Sequence, residues 1–369
     1  MAFVLCNAAF IIWIRVAGGQ QQGFPRRAVG NLPAPLRLSY PYLGKTGGPE
    51  DIALLGDSYV EGAGDDFLLG SNDYSLGHHL RALTGFGFLP FGVAGSFLPR
   101  SIAIYNTALS SGFFPLYQGR PRSLWPRRHL LFFYEGNDLD DFLQANRRSS
   151  SSRSLQKSMV EQLSWQDRFL PLSRVLGRRF RAGWKAARET QATPLGSPSS
   201  RSSINRFCGD HYCVAYGTSQ AAAPELSDHQ VQEALLGTVK AVQQFQSERP
   251  GTQVCLVYIP SPATLYQSET PIVFQSYGTG AENPSGRISP EANRQRSLAM
   301  RRRLSSLLAA GPKPVPFFDA TPALKSLART RFLHGEQDPK HLNRQGLQGL
   351  ARAVASAQLP CLRPLSPTS

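Results

Sequence analysis

Five short runs of apolar and β-branched residues punctuate the chain, at 51–56, 87–93, 129–134, 253–259 and 315–319. They are continuous rather than alternating, which predicts strands buried on both faces, as in a covered parallel sheet. Between them the apolar spacing becomes helical. Residues 74–84 form one such pattern. Residues 228–248 form another, with Val231, Leu235, Val239, Val242 and Phe245 on one face. Ser227 and Gln230 make a capping box at its start, and Pro250 and Gly251 follow its end. Residues 291–310, after Pro290, carry Leu298, Leu304, Leu307 and Leu308. A last helix over 344–358 carries Leu347, Leu350, Ala351 and Val354, with Asn343 placed to cap it. Strands alternating with helices predict an open α/β sheet.

Residues 143–225 break this rhythm. Stretches 147–153 and 194–203 are rich in Ser, Arg and Pro, which carry little order signal. Between them, 155–188 reads as a basic amphipathic helix with Trp165, Phe169, Leu172, Leu176 and Phe180. It suits a lid, a membrane-surface helix or an inert excursion. The main domain is expected over 40–360 with 143–225 as an insert, and the tail after Pro360 as frayed. Residues 1–14 are almost wholly apolar, within a separate N-terminal segment 1–17. A 14-residue helix spans roughly 21 Å, against the roughly 30 Å of a bilayer core. A membrane anchor, a signal-peptide remnant and a buried element all remain open readings of that run. Arg15, Arg26 and Arg27 follow it, and by the positive-inside tendency they would leave the domain cytoplasmic.

Length and composition, 369 residues with 41% hydrophobic and 18% charged, allow a globular core. The net charge of +15 suits polyanion contact in principle. The arginines are nevertheless scattered and not interleaved with aromatics, so no nucleic-acid partner is expected. Of five cysteines, Cys208 and Cys213 are spaced to close a small disulfide loop in an oxidising compartment. That pairing argues for the extracytoplasmic side, against the arginines. With His211 the same cysteines resemble part of a zinc site, but no fourth ligand lies nearby, so neither metal nor cofactor is expected. Cys255 sits in an apolar run and is expected to be buried.

The candidate chemistry lies where strands end. The run 51–56 delivers Gly56, Asp57 and Ser58 to its carboxyl end, where open α/β sheets present their ligands. A serine hydroxyl needs a base to become a nucleophile. His341 is the candidate, since Asp338 three residues earlier can orient its ring and stabilise the imidazolium. The other histidines lack this arrangement. His78 and His79 fall on a helix, His129 opens a strand, and His211, His229 and His334 read as surface or loop residues. A tetrahedral intermediate needs donors aimed at its oxyanion. The amides of Ser58 and Gly95 and the side-chain amide of Asn137 are placed to supply them. Asp57 and Asp138 adjoin these groups and add negative potential near the histidine; tuning the site and serving as turn or cap residues are both open roles for them.

On these residues the chain resembles the SGNH, or GDSL, hydrolase superfamily. Gly56, Asp57 and Ser58 match its first block, Gly92 to Gly95 its second, Gly136 to Asp138 its third, and Asp338 with His341 its fourth. The resemblance covers roughly 50–140 and 250–358. It implies a three-layer α/β/α sandwich on a five-stranded parallel flavodoxin-like sheet. It further implies Ser58 as nucleophile, His341 as base, Asp338 as its orienter, and an oxyanion hole of Ser58, Gly95 and Asn137. One departure is Pro90, where the family often has Asn before the second-block glycine. No G-x-S-x-G elbow surrounds Ser58, which argues against the α/β-hydrolase pattern. The loop after the first strand also lacks a phosphate-cradling glycine pattern. The expected function is therefore a serine esterase acting on a small-molecule or glycan ester. The alternatives are an O-acyltransferase acting on an envelope glycan and a non-catalytic binding protein on the same fold.

Overall fold

The computed structural model describes residues 50–62, 64, 75–92, 96–110, 125–149, 205–274, 286–335 and 340–365. The apolar segment 1–14, the expected helix at 155–188, the stretch 194–203, Gly95 and Asp338 lie outside them. The strands are β1 (Ile52–Gly56), β2 (Phe88–Gly92), β3 (Arg128–Tyr134), β4 (Asn205–Cys208), β5 (Cys213–Tyr216), β6 (Gln253–Ile259), β7 (Ile272–Phe274), β8 (Gly286–Ile288) and β9 (Phe317–Asp319). The helices are α1 (Ser58–Glu61), α2 (Leu76–Thr84), α3 (Leu98–Ser110), α4 (Asp138–Ser149), α5 (Asp228–Ser247), α6 (Pro262–Leu265), α7 (Pro290–Ala309), α8 (Thr321–Ala328) and α9 (Arg344–Ser356).

The five apolar runs become one sheet, ordered β2-β1-β3-β6-β9, and every pairing in it is parallel. Alternate side chains leave opposite faces. Ala53, Leu55, Phe91, Leu131, Phe133, Leu256 and Tyr258 pack against α3, α4, α5 and α7. Ile52, Leu54, Phe88, Leu130, Phe132, Cys255 and Val257 pack against α1, α2, α8 and α9. Helices on both faces leave no polar face to the strands, which is why their sequences do not alternate. Pro90 falls in β2, at the edge of the sheet, where the missing N–H removes no interior ladder bond.

The four expected helices that fall on described residues form within one or two residues of their predicted bounds. Ser227 Oγ accepts from the Gln230 amide, and the Gln230 side chain accepts from the Ser227 amide. Asn343 caps α9 by accepting from the Gly346 amide at 3.0 Å. On α7 the expected face is turned slightly. Met300, Leu304 and Leu308 are buried, whereas Leu298 is 40% exposed.

Three findings concern the chain's later parts. The ends of 143–225 are built into the fold. α4 continues to Ser149, and β4 pairs with β5 in a hairpin closed by the Cys208–Cys213 disulfide. The expected fraying after Pro360 does not hold for the described tail. Cys361 is buried and bonded to Cys255 in the middle of the sheet. The carbonyl of Arg363 accepts a 2.8 Å bond from the buried guanidinium of Arg128. His334, read as a surface or loop residue, lies between named elements but is buried, its Nδ1 2.7 Å from the Tyr266 hydroxyl. A bridge between His334 and Leu342 draws it inward.

Candidate active site

The chain passes from β1 to β2 on one side of the sheet and then crosses to β3 on the other. That reversal opens a crevice at the carboxyl ends of β1 and β3. Ser58 follows β1, and Asn137 follows β3. Sequence patterning alone therefore carries both groups to the crevice.

Ser58 starts α1, a single turn made sharp by its neighbours. Asp57 caps it, accepting from the Tyr59 amide at 2.9 Å. Gly62 ends it with φ +88° and donates to the Ser58 carbonyl. Gly92 lets this turn lie directly on β2. A Cβ there would fall 1.9 Å from the Glu61 nitrogen. This glycine of the second block is thus required for packing, a role apart from that expected of Gly95, which lies outside the described residues.

His341 arrives from the other end of the chain. Its Nε2 is 2.7 Å from Ser58 Oγ, and both residues are half-buried. That is hydrogen-bond reach for a general base on a hydroxyl. The segment carrying it is held on several sides. Gly335 donates to the His341 carbonyl at 3.1 Å, and the Asn343 amide donates to Leu333 O at 2.8 Å. The Asn343 side chain donates to Phe332 O and His334 O. The Tyr59 hydroxyl donates to the Lys340 carbonyl at 2.8 Å. Gly64, at φ +144°, passes close by; a Cβ there would meet Leu342 O at 3.1 Å.

Asn137 is buried and precedes α4. Its Nδ2 donates to Asp141 Oδ2 at 3.0 Å. An amide nitrogen carries two protons, so this bond uses one and fixes the plane of the other. Glu135 ties the end of β3 to that of β6, accepting from the Tyr258 hydroxyl at 2.6 Å and from the Ser261 amide and hydroxyl. Gly136 leaves room for Tyr134, whose ring would lie 2.6 Å from a Cβ at that position. Tyr134 in turn packs on Tyr59, ring centroids 4.4 Å apart.

Two acids lie beneath the pair. Burial pushes the Asp57 carboxyl up to about 6, against the pull of the Tyr59 amide and of His341. Burial, followed by the charge of Asp57, raises Asp138 well above the carboxylate range. Asp138 Oδ2 accepts from the Tyr134 amide at 3.1 Å. Asp57 Oδ2 and Asp138 Oδ1 are buried with no hydrogen-bond partner among the described residues.

The structure thus brings Ser58 and His341 together and sets Asn137 on the adjacent strand end. Sequence reasoning missed the packing role of Gly92 and the bracing by Tyr59 and by the clamp made by Asn343. Tyr59 carried one signal, its position beside Ser58. The zinc alternative loses its ligands, because the sulfurs of Cys208 and Cys213 are bonded to each other. Comparison with family models, curated proteins and solved structures returned no match.

Proposed function

We propose that the protein is a serine hydrolase of carboxylic esters, of the SGNH type. The observation that carries this is the 2.7 Å contact between Ser58 Oγ and His341 Nε2, groups 283 residues apart in sequence. The parallel sheet with its β2-β1-β3-β6-β9 order supports the finer fold assignment, since it is the flavodoxin-like order. In the mechanism, Ser58 Oγ attacks the ester carbonyl as its proton passes to His341 Nε2. The amides of Ser58 and Gly95 and the Asn137 side chain receive the oxyanion. Collapse breaks the bond to the alkoxide, which takes the proton from His341 and leaves as the alcohol. Water, deprotonated by the same nitrogen, then releases the acid and restores Ser58. Asp338 orients the imidazole through this cycle. The roles of Gly95 and Asp338 rest on the resemblance of their sequence blocks.

Two disulfides among the described residues support an oxidising, extracytoplasmic location. The test is hydrolysis of short p-nitrophenyl esters by the parent and by Ser58→Ala. The variant is expected to lose at least a thousandfold in kcat/KM; equal turnover would refute the proposal. Adding an oligosaccharide acceptor separates hydrolysis from acyl transfer, through the appearance of acylated sugar.

A further inference from the structure

Tyr59 stands between the two halves of the candidate site. It is the residue after Ser58, so its backbone belongs to the turn that presents the hydroxyl. Its own hydroxyl reaches 281 residues along the chain to the Lys340 carbonyl, one peptide before His341, at 2.8 Å. Its ring lies 5.2 Å from the imidazole, centroid to centroid. The ring is itself fixed from behind. Tyr134 packs against it at 4.4 Å, and the Tyr134 hydroxyl is bonded to Gln220. Tyr59 is buried and the Lys340 end is half-buried, so the bond is partly sheltered from competing water. Without the phenol the segment loses a tie of its backbone to the serine turn.

We propose that Tyr59 is a positioning residue. Its phenol ties the His341 segment to the Ser58 turn and so sets the contact between imidazole and hydroxyl. This rests on the hydrolase assignment above. Displacements of about 1 Å cost orders of magnitude when reacting groups must be aligned. Loss of this one hydroxyl therefore lowers the rate of proton removal from Ser58 and leaves substrate binding little changed.

The experiment compares the parent, Ser58→Ala, Tyr59→Phe and Tyr134→Phe in their rates of covalent labelling by a fluorophosphonate probe. Thermal melts and kcat and KM on p-nitrophenyl acetate accompany it. A parent that labels at Ser58 upholds the hydrolase assignment; a parent that does not label overturns it. Given labelling, Tyr59→Phe is expected to label at least tenfold more slowly, with kcat reduced likewise and KM within twofold. Tyr134→Phe, which removes a phenol from the same aromatic stack without touching the histidine segment, is expected to label within twofold of the parent. Equal rates for Tyr59→Phe and the parent overturn the positioning role. Equal losses in both tyrosine variants also overturn it, since that pattern marks general loosening of the stack. Should Tyr59→Phe fail to fold, a crystal structure of the parent decides: a Tyr59 hydroxyl beyond hydrogen-bond reach of the Lys340 carbonyl sinks the proposal.

Discussion

Asp57 shows how one side chain serves the local turn and costs the whole fold. One oxygen caps α1; the other is buried without a partner among the described residues. Its carboxyl is raised to about 6, chiefly by burial, so the native state holds a proton that the unfolded chain has released. The unfolded acid titrates near 3.8. Stability is therefore fully present below that value and falls as pH rises through about 6. A shift of this size is worth on the order of 3 kcal/mol. His129 opposes it. Burial holds its imidazole down at about 3, so it contributes stability above about 6.5 that is lost as pH falls toward 3. Asp57→Asn keeps an oxygen for the Tyr59 amide and removes the ionisation. Denaturant melts from pH 4 to 7 should show the variant gaining stability relative to the parent as pH rises through about 6, and a more stable variant at pH 7. Parallel curves for the two proteins would show that Asp57 is not the group responsible.

At the scale of elements, what was legible followed from periodicity and caps. β1, β3 and β6 are continuous apolar runs, and α5 and α9 announce themselves by a face and a cap. The helices that were not predicted offer only part of this signal. α3 starts with Leu98 and Pro99, and α4 opens with three acids, Asp138, Asp140 and Asp141, in its first turn. α8 has only eight residues. Ser58, His341 and Asn137 were legible because each sits next to a legible element. The bracing groups were not, since a bond from Tyr59 to Lys340 depends on how distant elements meet. Asn343 was legible only in part: its oxygen as a cap, its nitrogen not at all. The oxygen caps α9, while Nδ2 holds the carbonyls of Phe332 and His334 beside the histidine segment. Asn343→Ala removes both functions, at about 2 kcal/mol for the cap and the orphaned carbonyls together. Asn343→Asp keeps the cap and faces those carbonyls with a carboxylate. Both variants are expected to lose fluorophosphonate labelling, and Ala to show the clearer loss of helix cap. Full labelling of the Asp variant would show that the clamp has no bearing on His341.

Across the whole molecule the two ends of the described chain are brought to the same sheet. β1 supplies the serine turn at the start, α9 follows the histidine segment near the end, and both pack on one face. The Cys255–Cys361 bond secures this closure, joining the centre of β6 to residues beyond α9, 106 positions apart. The Cys208–Cys213 bond spans five positions within one hairpin. Loop-closure entropy separates the two cases. A cross-link over a hundred residues restricts the unfolded chain by about 5 kcal/mol, and one over five by about 2 kcal/mol. The long bond is also buried in the core that α9 helps to form, while its short counterpart lies at the more exposed end of a hairpin. Replacing Cys255 and Cys361 together by Ala should therefore lower the guanidinium midpoint more than replacing Cys208 and Cys213 together. The first variant should also label more slowly with fluorophosphonate at temperatures well below its melt, because the histidine segment and the tail close on the same face. If the two double variants unfold at the same midpoint, the long cross-link is not what holds the carboxyl-terminal third to the sheet, and packing of α9 through Leu347, Leu350, Ala351 and Val354 carries that closure instead.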